Sequence, residues 1–230
     1  MTKNDDQAVD ALPGDAGAVL VGIARRTLEE ELGIERTGSP ASTRDHEPAV
    51  TSDVEATTVG SGRPGRPAWL DRDGASFVTL TIGGALRGCI GSLTAYRPLR
   101  EDVARNAHNA AFEDPRFPPL GADEYPGTAV EVSVLGAPEP VPARTEDELI
   151  AALRPGTDGV ILREGHHRAT FLPQVWEQLP DPHEFLQALR HKAGLRADRW
   201  AGSTTAERYT VTAYTDLAGE DMLAHDHKDS

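Results

Sequence analysis

Apolar residues recur at every third or fourth position in four segments of the chain, and this spacing predicts four helices. The first spans roughly 15–33, where an apolar stripe runs from Leu20 to Leu32 and Gly33 follows as a C-terminal cap. The other three carry helix start signals: a proline at the first helical position, a capping box, and an aspartate followed by proline. These helices are predicted over 98–114, 145–153 and 181–194.

Alternation of apolar and polar positions predicts strands between the helices. The clearest pair, 76–82 and 85–90, flanks two glycines that suit a two-residue hairpin turn. Over 129–135, valines occupy one face, whereas Glu131 and Ser133 occupy the other. Because strands and helices interleave without regular βαβ spacing, we expect an α+β fold with a mostly antiparallel sheet and flanking helices. The remaining strands are predicted at 159–163, 168–172 and 207–217.

Three segments, 1–14, 36–67 and 218–230, are polar or charged and contain few large apolar side chains. Such segments bury too little apolar surface to offset the entropy cost of ordering the chain. We therefore predict a disordered N-terminus, a flexible insert over 36–67 and a disordered acidic tail with histidines. One folded domain is expected over 15–217.

The composition argues against a nucleic-acid-binding, a membrane or a secreted protein. The chain has 37 acidic and 23 basic residues, a net charge of −14, which disfavours nucleic acid as a partner because phosphate contacts need Lys and Arg. No apolar run approaches the roughly 18 residues of a membrane span, and we expect neither a membrane contact nor a secretory signal. The single cysteine cannot form an intramolecular disulfide or a thiolate metal site alone, so the cytoplasm is the expected location.

The segment 86–92, LRGCIGS, contains the most unusual chemistry. If it continues a strand, Arg87, Cys89 and Gly91 share one face, and a guanidinium near the thiol would favour the thiolate. Gly88 and Gly91 mark places where a ligand or another backbone segment approaches closely. Cys89 is therefore either a catalytic thiol or a small buried core residue, and the residues alone leave both interpretations open.

A second cluster follows the predicted helix over 98–114. Asp114 and Arg116 either fix a rigid proline-flanked loop, or they help to bind an anionic substrate through the guanidinium of Arg116. Glu131 is either a solvated charge on its strand or, if it faces the same side as Cys89, a base or ligand.

Other candidate motifs carry less weight. The stretch 60–65 matches G-x-G-x-x-G but has no predicted strand before it and no helix after it, so we reject a dinucleotide site there. His108 is expected at the surface, although it could pair with Cys89, and Lys192 suits the C-terminal end of its helix. His225 and His227 lie in a segment too flexible for a preorganised metal site, and we predict no metal site and name no cofactor.

Taken together, these motifs resemble the AMMECR1 family over about 15–35 and 68–217. The matching segments, in family order, are FVTL at 77–80, LRGCIGSL at 86–93, AAF at 110–112, DPRF at 114–117, EVSVL at 131–135, GTDG at 156–159, LPQV at 172–175, FL at 185–186 and KAGL at 192–195. His108 is not part of this shared pattern, and the insert over 36–67 is longer and more polar than the usual family spacer.

The resemblance implies a cytosolic protein with a larger domain built from both chain ends, a smaller strand-rich subdomain, and a cleft between them. It makes the cysteine that matches Cys89 the usual active-site candidate. Bacterial and archaeal relatives are called AmmeMemoRadiSam system protein A, a name that reflects association with a Memo-like protein and a radical SAM protein. The resemblance supplies no reaction.

Two functions follow from these observations. In the first, Cys89 lies in a cleft that binds or acts on a small anionic molecule, with Arg87 and Arg116 as the anion-binding groups. In the second, the chain is a non-catalytic module that docks the Memo-like and radical SAM partners, and the strand around Cys89 is packed for shape alone.

Overall fold

The computed structural model describes residues 12–34, 67–195 and 200–216. The four predicted helices begin and end close to the positions that the apolar spacing predicts, and the short helix over 175–178 was not predicted. Gly33 ends the first helix at a φ of 67°, and the Asp181 side chain caps the last helix by accepting from the backbone N–H groups of His183 and Glu184. The α-helices are α1 (Ala16–Leu32), α2 (Leu99–Phe112), α3 (Glu146–Ala152), α4 (Val175–Gln178) and α5 (Pro182–Lys192).

The strands form two antiparallel four-stranded sheets, and the fold is α+β as the alternation of elements indicates. The first sheet has the order β2-β1-β3-β8, and the second has the order β4-β7-β5-β6. Gly83 and Gly84, with φ values of 55° and 76°, form the turn between β1 and β2. The strands are β1 (Ala75–Ile82), β2 (Ala85–Gly91), β3 (Thr128–Leu135), β4 (Glu139–Val141), β5 (Gly159–Glu164), β6 (His167–Phe171), β7 (Thr205–Tyr209) and β8 (Val211–Asp216).

Each sheet packs on its own helices. Helices α1 and α2 cover one face of the first sheet, around the fully buried side chains of Leu20, Val78 and Val130. The second sheet packs with α3, α4 and α5 around Phe185, whose ring stacks on Trp176 at a centroid distance of 3.7 Å. The burial of these two apolar sets explains why the helices have one apolar stripe each.

A third, smaller cluster joins the two sheets. Ala75, Phe77 and Leu135 of the first sheet contact Ile161 and Tyr209 of the second. In the register of the first sheet, these side chains lie on the face opposite α1 and α2. The second sheet therefore covers one end of that face.

The segment predicted as a single strand at 207–217 is two strands, and that prediction was wrong. The chain leaves the second sheet after Tyr209 and enters the first at Val211. At the crossing, the Thr210 carbonyl accepts a hydrogen bond of 2.8 Å from the backbone N–H of Gly136. Alternation continues through the crossing, so the pattern alone does not show the change of sheet. The short strand β4 was also not predicted.

The predicted disordered ends 1–14 and 218–230 and the predicted insert 36–67 lie almost entirely outside the described residues, as do His225 and His227. Within the described residues, no helix is long and apolar enough to cross a membrane.

The contact between β2 and α2 requires a glycine at position 88. A Cβ atom added at Gly88 would lie 2.0 Å from the carbonyl oxygen of Ala110, which is backbone and cannot rotate away. Helix α2 thus lies directly on β2 at Gly88. This close contact fixes the distance between the strand and the helix.

We predict that Gly88→Ala lowers the free energy of unfolding by about 3 kcal/mol, because the helix must move away from the strand. Gly127→Ala is the matched control, since an added Cβ at Gly127 meets no atom within 4 Å. Urea denaturation followed by circular dichroism measures both. Equal stability of the two variants would contradict the close contact.

Candidate functional site around Cys89

Cys89 lies on the face of the first sheet that α1 and α2 do not cover, and it is partly exposed. A row of side chains crosses all four strands at this level: Cys89, Thr79, Glu131 and Thr215. Directly opposite residues in antiparallel strands project to the same face. The sheet thus presents a polar row about 13 Å along the strands from the apolar row at Ala75, where the second sheet packs.

Two neighbours determine the surroundings of the thiol. The Thr79 hydroxyl donates a hydrogen bond to Cys89 Sγ at 3.3 Å. On the adjacent row, the Phe77 ring lies over Gly91, where an added Cβ would approach the ring to 2.2 Å. The thiol therefore has one polar neighbour and one aromatic neighbour, and it is not sealed in an apolar core.

The backbone of Cys89 is held by the loop that follows α2. Because β2 is an edge strand, its outward N–H and C=O groups need partners outside the sheet. Asp114 Oδ2 accepts from the Cys89 N–H at 2.9 Å, and Arg116 Nη2 donates to the Cys89 carbonyl at 3.2 Å. An aspartate and an arginine thus take the place of a neighbouring strand at this one residue.

Asp114 and Arg116 also bind each other. The carboxylate, whose side chain is only 1% exposed, accepts from Arg116 Nε at 2.9 Å and from Nη2 at 2.6 Å. The hydrogen bonds from Arg116, together with those from the Cys89 and Arg116 backbone, lower the pKa of Asp114 well below its usual range despite its burial. Asp114 is therefore a carboxylate at every physiological pH.

Arg116 is the group at this site that reaches solvent. Its side chain is 53% exposed, and its Nη1 has no hydrogen-bond partner among the described residues. The hydrogen bonds to Asp114 raise the pKa of Arg116, so the guanidinium stays charged. A charged donor and a thiol are thus linked through the backbone of one residue.

Strand alternation places the Arg87 guanidinium beside Cys89, whereas in the structure this group binds Glu124 and the carbonyl of Pro118. A bulge opposite Leu80 and Thr81 leaves Arg87 without a partner in the register. Its guanidinium binds both carboxylate oxygens of Glu124 at 2.9 and 2.8 Å and donates to the carbonyl of Pro118 at 2.8 Å. Hydrogen bonding to Arg87 lowers the pKa of Glu124 to about 2, so this pair is an ion pair at neutral pH.

Glu131 faces the same side of the sheet as Cys89, which was one of the two predicted alternatives. Two inter-strand spacings, about 10 Å, separate the two residues, with Thr79 between them. The Glu131 carboxylate accepts from Ser133 Oγ and from Thr215 Oγ1, both at 3.2 Å. A molecule in contact with both the thiol and this carboxylate would have to lie along the row.

The remaining candidates lie elsewhere. His108 binds Glu31 at 3.2 Å between α2 and α1, on the helical side of the first sheet, and Lys192 Nζ donates to the Thr170 carbonyl at 3.0 Å. Within the part of the chain that the structure describes, no group of three or more His, Cys, Asp or Glu side chains is arranged to hold a metal ion.

Sequence reasoning missed two residues of this site. Thr79 is an ordinary strand residue in the sequence, and its contact with Cys89 follows only from the register of β1 and β2. Glu124, the partner of Arg87, lies 37 positions further along the chain. Correct pairing of the predicted hairpin would have found Thr79, whereas no local signal identifies Glu124.

Comparison with known proteins gives one consistent result. The sequence model of the AMMECR1 family matches residues 21–214. A protein of Thermofilum pendens is 37% identical over 190 residues, covering 82% of this chain and 84% of the relative, and one of Saccharolobus solfataricus is 32% identical over 210 residues, covering 89% and 82%. The crystal structure of an uncharacterized protein from Pyrococcus horikoshii superposes with a TM-score of 0.66 at 31% identity, covering 91% of this chain and 95% of that one.

We predict that Asp114→Asn destabilises the fold by about 1–3 kcal/mol at pH 7, because the amide cannot accept all the hydrogen bonds of the carboxylate. The folded-state pKa of Asp114 lies below its unfolded value, so the carboxylate contributes fully above about pH 4. The stability difference between wild type and variant should then shrink as the pH falls below about 4 toward the folded-state pKa. Urea unfolding at a series of pH values measures it, and a difference independent of pH down to 2 would contradict the assigned role.

Proposed function

The chain belongs to the AMMECR1 family, and we propose that it works by binding or acting on a small anionic molecule at the Cys89 face. In this proposal it is a cytoplasmic component of a system that includes a Memo-like protein and a radical SAM protein, as the family resemblance implies. A reducing compartment would keep the single thiol available.

One observation supports the proposal above the others. Cys89 is partly exposed, and the half-exposed guanidinium of Arg116 donates a hydrogen bond to its backbone carbonyl. A cysteine needed only for packing would be buried in the apolar interior, as free cysteines usually are. Burial of Asp114 beneath this pair fixes the positions of both groups, which is the arrangement a binding site requires.

We assign each predicted site residue a role in this proposal. Cys89 and Arg116 contact the bound molecule, and Glu131 contacts its far end or a proton on it. Gly91 leaves room for Phe77 to form one wall. Asp114 positions Cys89 and Arg116 without touching the molecule.

Arg87 and Gly88 act at a greater distance from the bound molecule. Because its guanidinium is bound to Glu124, Arg87 fixes the loop around Pro118 instead of binding the anion directly. Gly88 keeps β2 against α2. Both residues support the position of Cys89 through the backbone of β2.

The cleft that the resemblance implies would lie where the second sheet meets this face. The Phe77 ring belongs to the cluster that joins the sheets and also lies on the row next to Cys89. In addition, Arg168 of β6 lies 3.4 Å from the Thr94 hydroxyl in the segment between β2 and α2. We propose that the molecule binds on the Cys89 row, beside these two contacts.

The second candidate function is a non-catalytic docking module, and one observation favours it. Leu93 and Tyr96, in the segment between β2 and α2, are 39% and 63% exposed, and two such side chains close in sequence suit a docking surface. In this alternative, Cys89→Ser would leave both partner binding and the output of the system intact, whereas Leu93→Asp would weaken partner binding.

The anion-binding part of the proposal can be tested with two thiol reagents of similar size. Because the chain has one cysteine, all alkylation reports on Cys89. We compare the rate of alkylation by anionic iodoacetate with the rate by neutral iodoacetamide. We predict that the ratio of the first rate to the second is higher in the folded chain than in the urea-unfolded chain. Arg116→Gln should lower the ratio of the two rates by about two- to fivefold at low salt, as expected for one partly screened charge.

Arg100→Gln is the matched control, since Arg100 is on α2, on the opposite face of the sheet. That variant should leave the ratio unchanged. An equal ratio in wild type, Arg116→Gln and the unfolded chain would contradict an anion site at Cys89.

The biological role is tested by Cys89→Ser in a strain that lacks the chromosomal copy. We predict that the variant folds with an unchanged unfolding transition but does not restore the wild-type metabolite profile. Thr205→Ser, a similarly small change at an exposed position of β7, should restore it. Full restoration by Cys89→Ser would favour the docking module.

A further inference from the structure

A cavity of about 300 Å³ lies at the junction of the two sheets, away from the Cys89 row. The chain passes between the two sheets twice, and residues of both passages line the cavity. Leu135 and Gly136 belong to the first passage, and Tyr209 and Thr210 belong to the second. Leu135 and Tyr209 also belong to the cluster that joins the sheets. The volume is at the lower end of that of pockets that bind small molecules.

Two arginines line this cavity, and each has a guanidinium nitrogen without a hydrogen bond to a described residue. Arg154 binds the buried carboxylate of Asp158 through Nε and Nη2, which leaves its Nη1 without a partner among the described residues. Arg208 donates to the Ala152 carbonyl through Nη1 at 3.1 Å, and its Nη2 has no hydrogen bond to a described residue. An arginine that follows α3 and an arginine of β7 thus line the same space.

One carboxylate in the same lining already lies close to Arg208. Glu139 lines the same cavity, and its Oε2 is 3.6 Å from Arg208 Nη2, an ion pair without a hydrogen bond. The side chain of Glu139 is 68% exposed, so it can leave toward solvent at little cost. Glu139 therefore shows where a negative charge is stabilised and how it could be exchanged for another.

The other residues that line the cavity indicate which groups a ligand would carry besides its carboxylate. Leu12, Val134 and Leu135 form an apolar side, and Thr210, Thr212 and Tyr214 carry hydroxyl groups. This combination suits a small organic acid with a short apolar body, whose carboxylate would take the place of the Glu139 carboxylate.

We propose that this cavity is a binding site for a small carboxylic acid, held by Arg154 and Arg208 and in competition with Glu139. The site lies at both chain crossings between the sheets. It is separate from the Cys89 face, so it can exist whether or not the function proposed above is correct.

The test is a titration of the full chain with 3-phenylpropionate, followed by two-dimensional amide NMR at low salt. We expect saturable shifts of amides around Gly136 and Thr210, and none with the uncharged analogue 3-phenylpropanol. Arg208→Gln should weaken binding about tenfold, the loss of one charge-assisted hydrogen bond. Glu139→Gln should tighten it about two- to fivefold by removing the competitor.

Two exposed residues away from the cavity provide matched controls for charge. Arg163→Gln and Glu177→Gln make the same charge changes and should leave the affinity unchanged. Because Glu139→Gln predicts a gain, the test does not depend on whether the Arg208 variant folds. Binding of the alcohol as well as the acid, weaker binding to Glu139→Gln, or equal effects of the control variants would overturn the proposal.

Discussion

The rest of the site depends on the hydrogen bonds that the buried carboxylate of Asp114 accepts. It accepts from the backbone of an edge strand and from the side chain of Arg116, so it completes the sheet and fixes a charged group with one set of oxygens. Without it, the Cys89 N–H would lack a partner and Arg116 would lose the anchor that keeps it beside the thiol. The same carboxylate therefore accepts a backbone hydrogen bond of the fold and positions the charged group of the site.

This arrangement explains why glycines flank Cys89. Gly88 lets α2 lie on one face of β2, and Gly91 lets Phe77 lie on the other. Between them the strand has no freedom to move toward or away from either neighbour, because interiors are packed at high density. The close contacts at Gly88 and Gly91 therefore fix the position of Cys89 on the face that α1 and α2 leave open.

Much of this could be predicted from the sequence, because the relevant signals are local. The hairpin glycines, the helix caps and the alternation around Glu131 each act over a few residues, and the structure has them in the predicted places. The guanidinium beside Cys89 could not be assigned in this way. Strand alternation pointed to Arg87, but a single extra residue in β2 and a carboxylate 37 positions away determine where that side chain goes. Likewise, the cavity at the junction of the sheets lies where the chain changes sheets at Thr210, a long-range event that leaves no local pattern.

Because Cys89 lies on an open face of the sheet, its thiol should react from the folded state and not only when the chain unfolds. The rate of Cys89 modification by a neutral disulfide reagent, measured across urea concentrations below the unfolding transition, tests it directly. We expect a measurable rate without urea that stays nearly constant until the transition begins. A rate that rises with urea in proportion to the unfolded fraction would show that the thiol is reached only through unfolding, and would contradict the account.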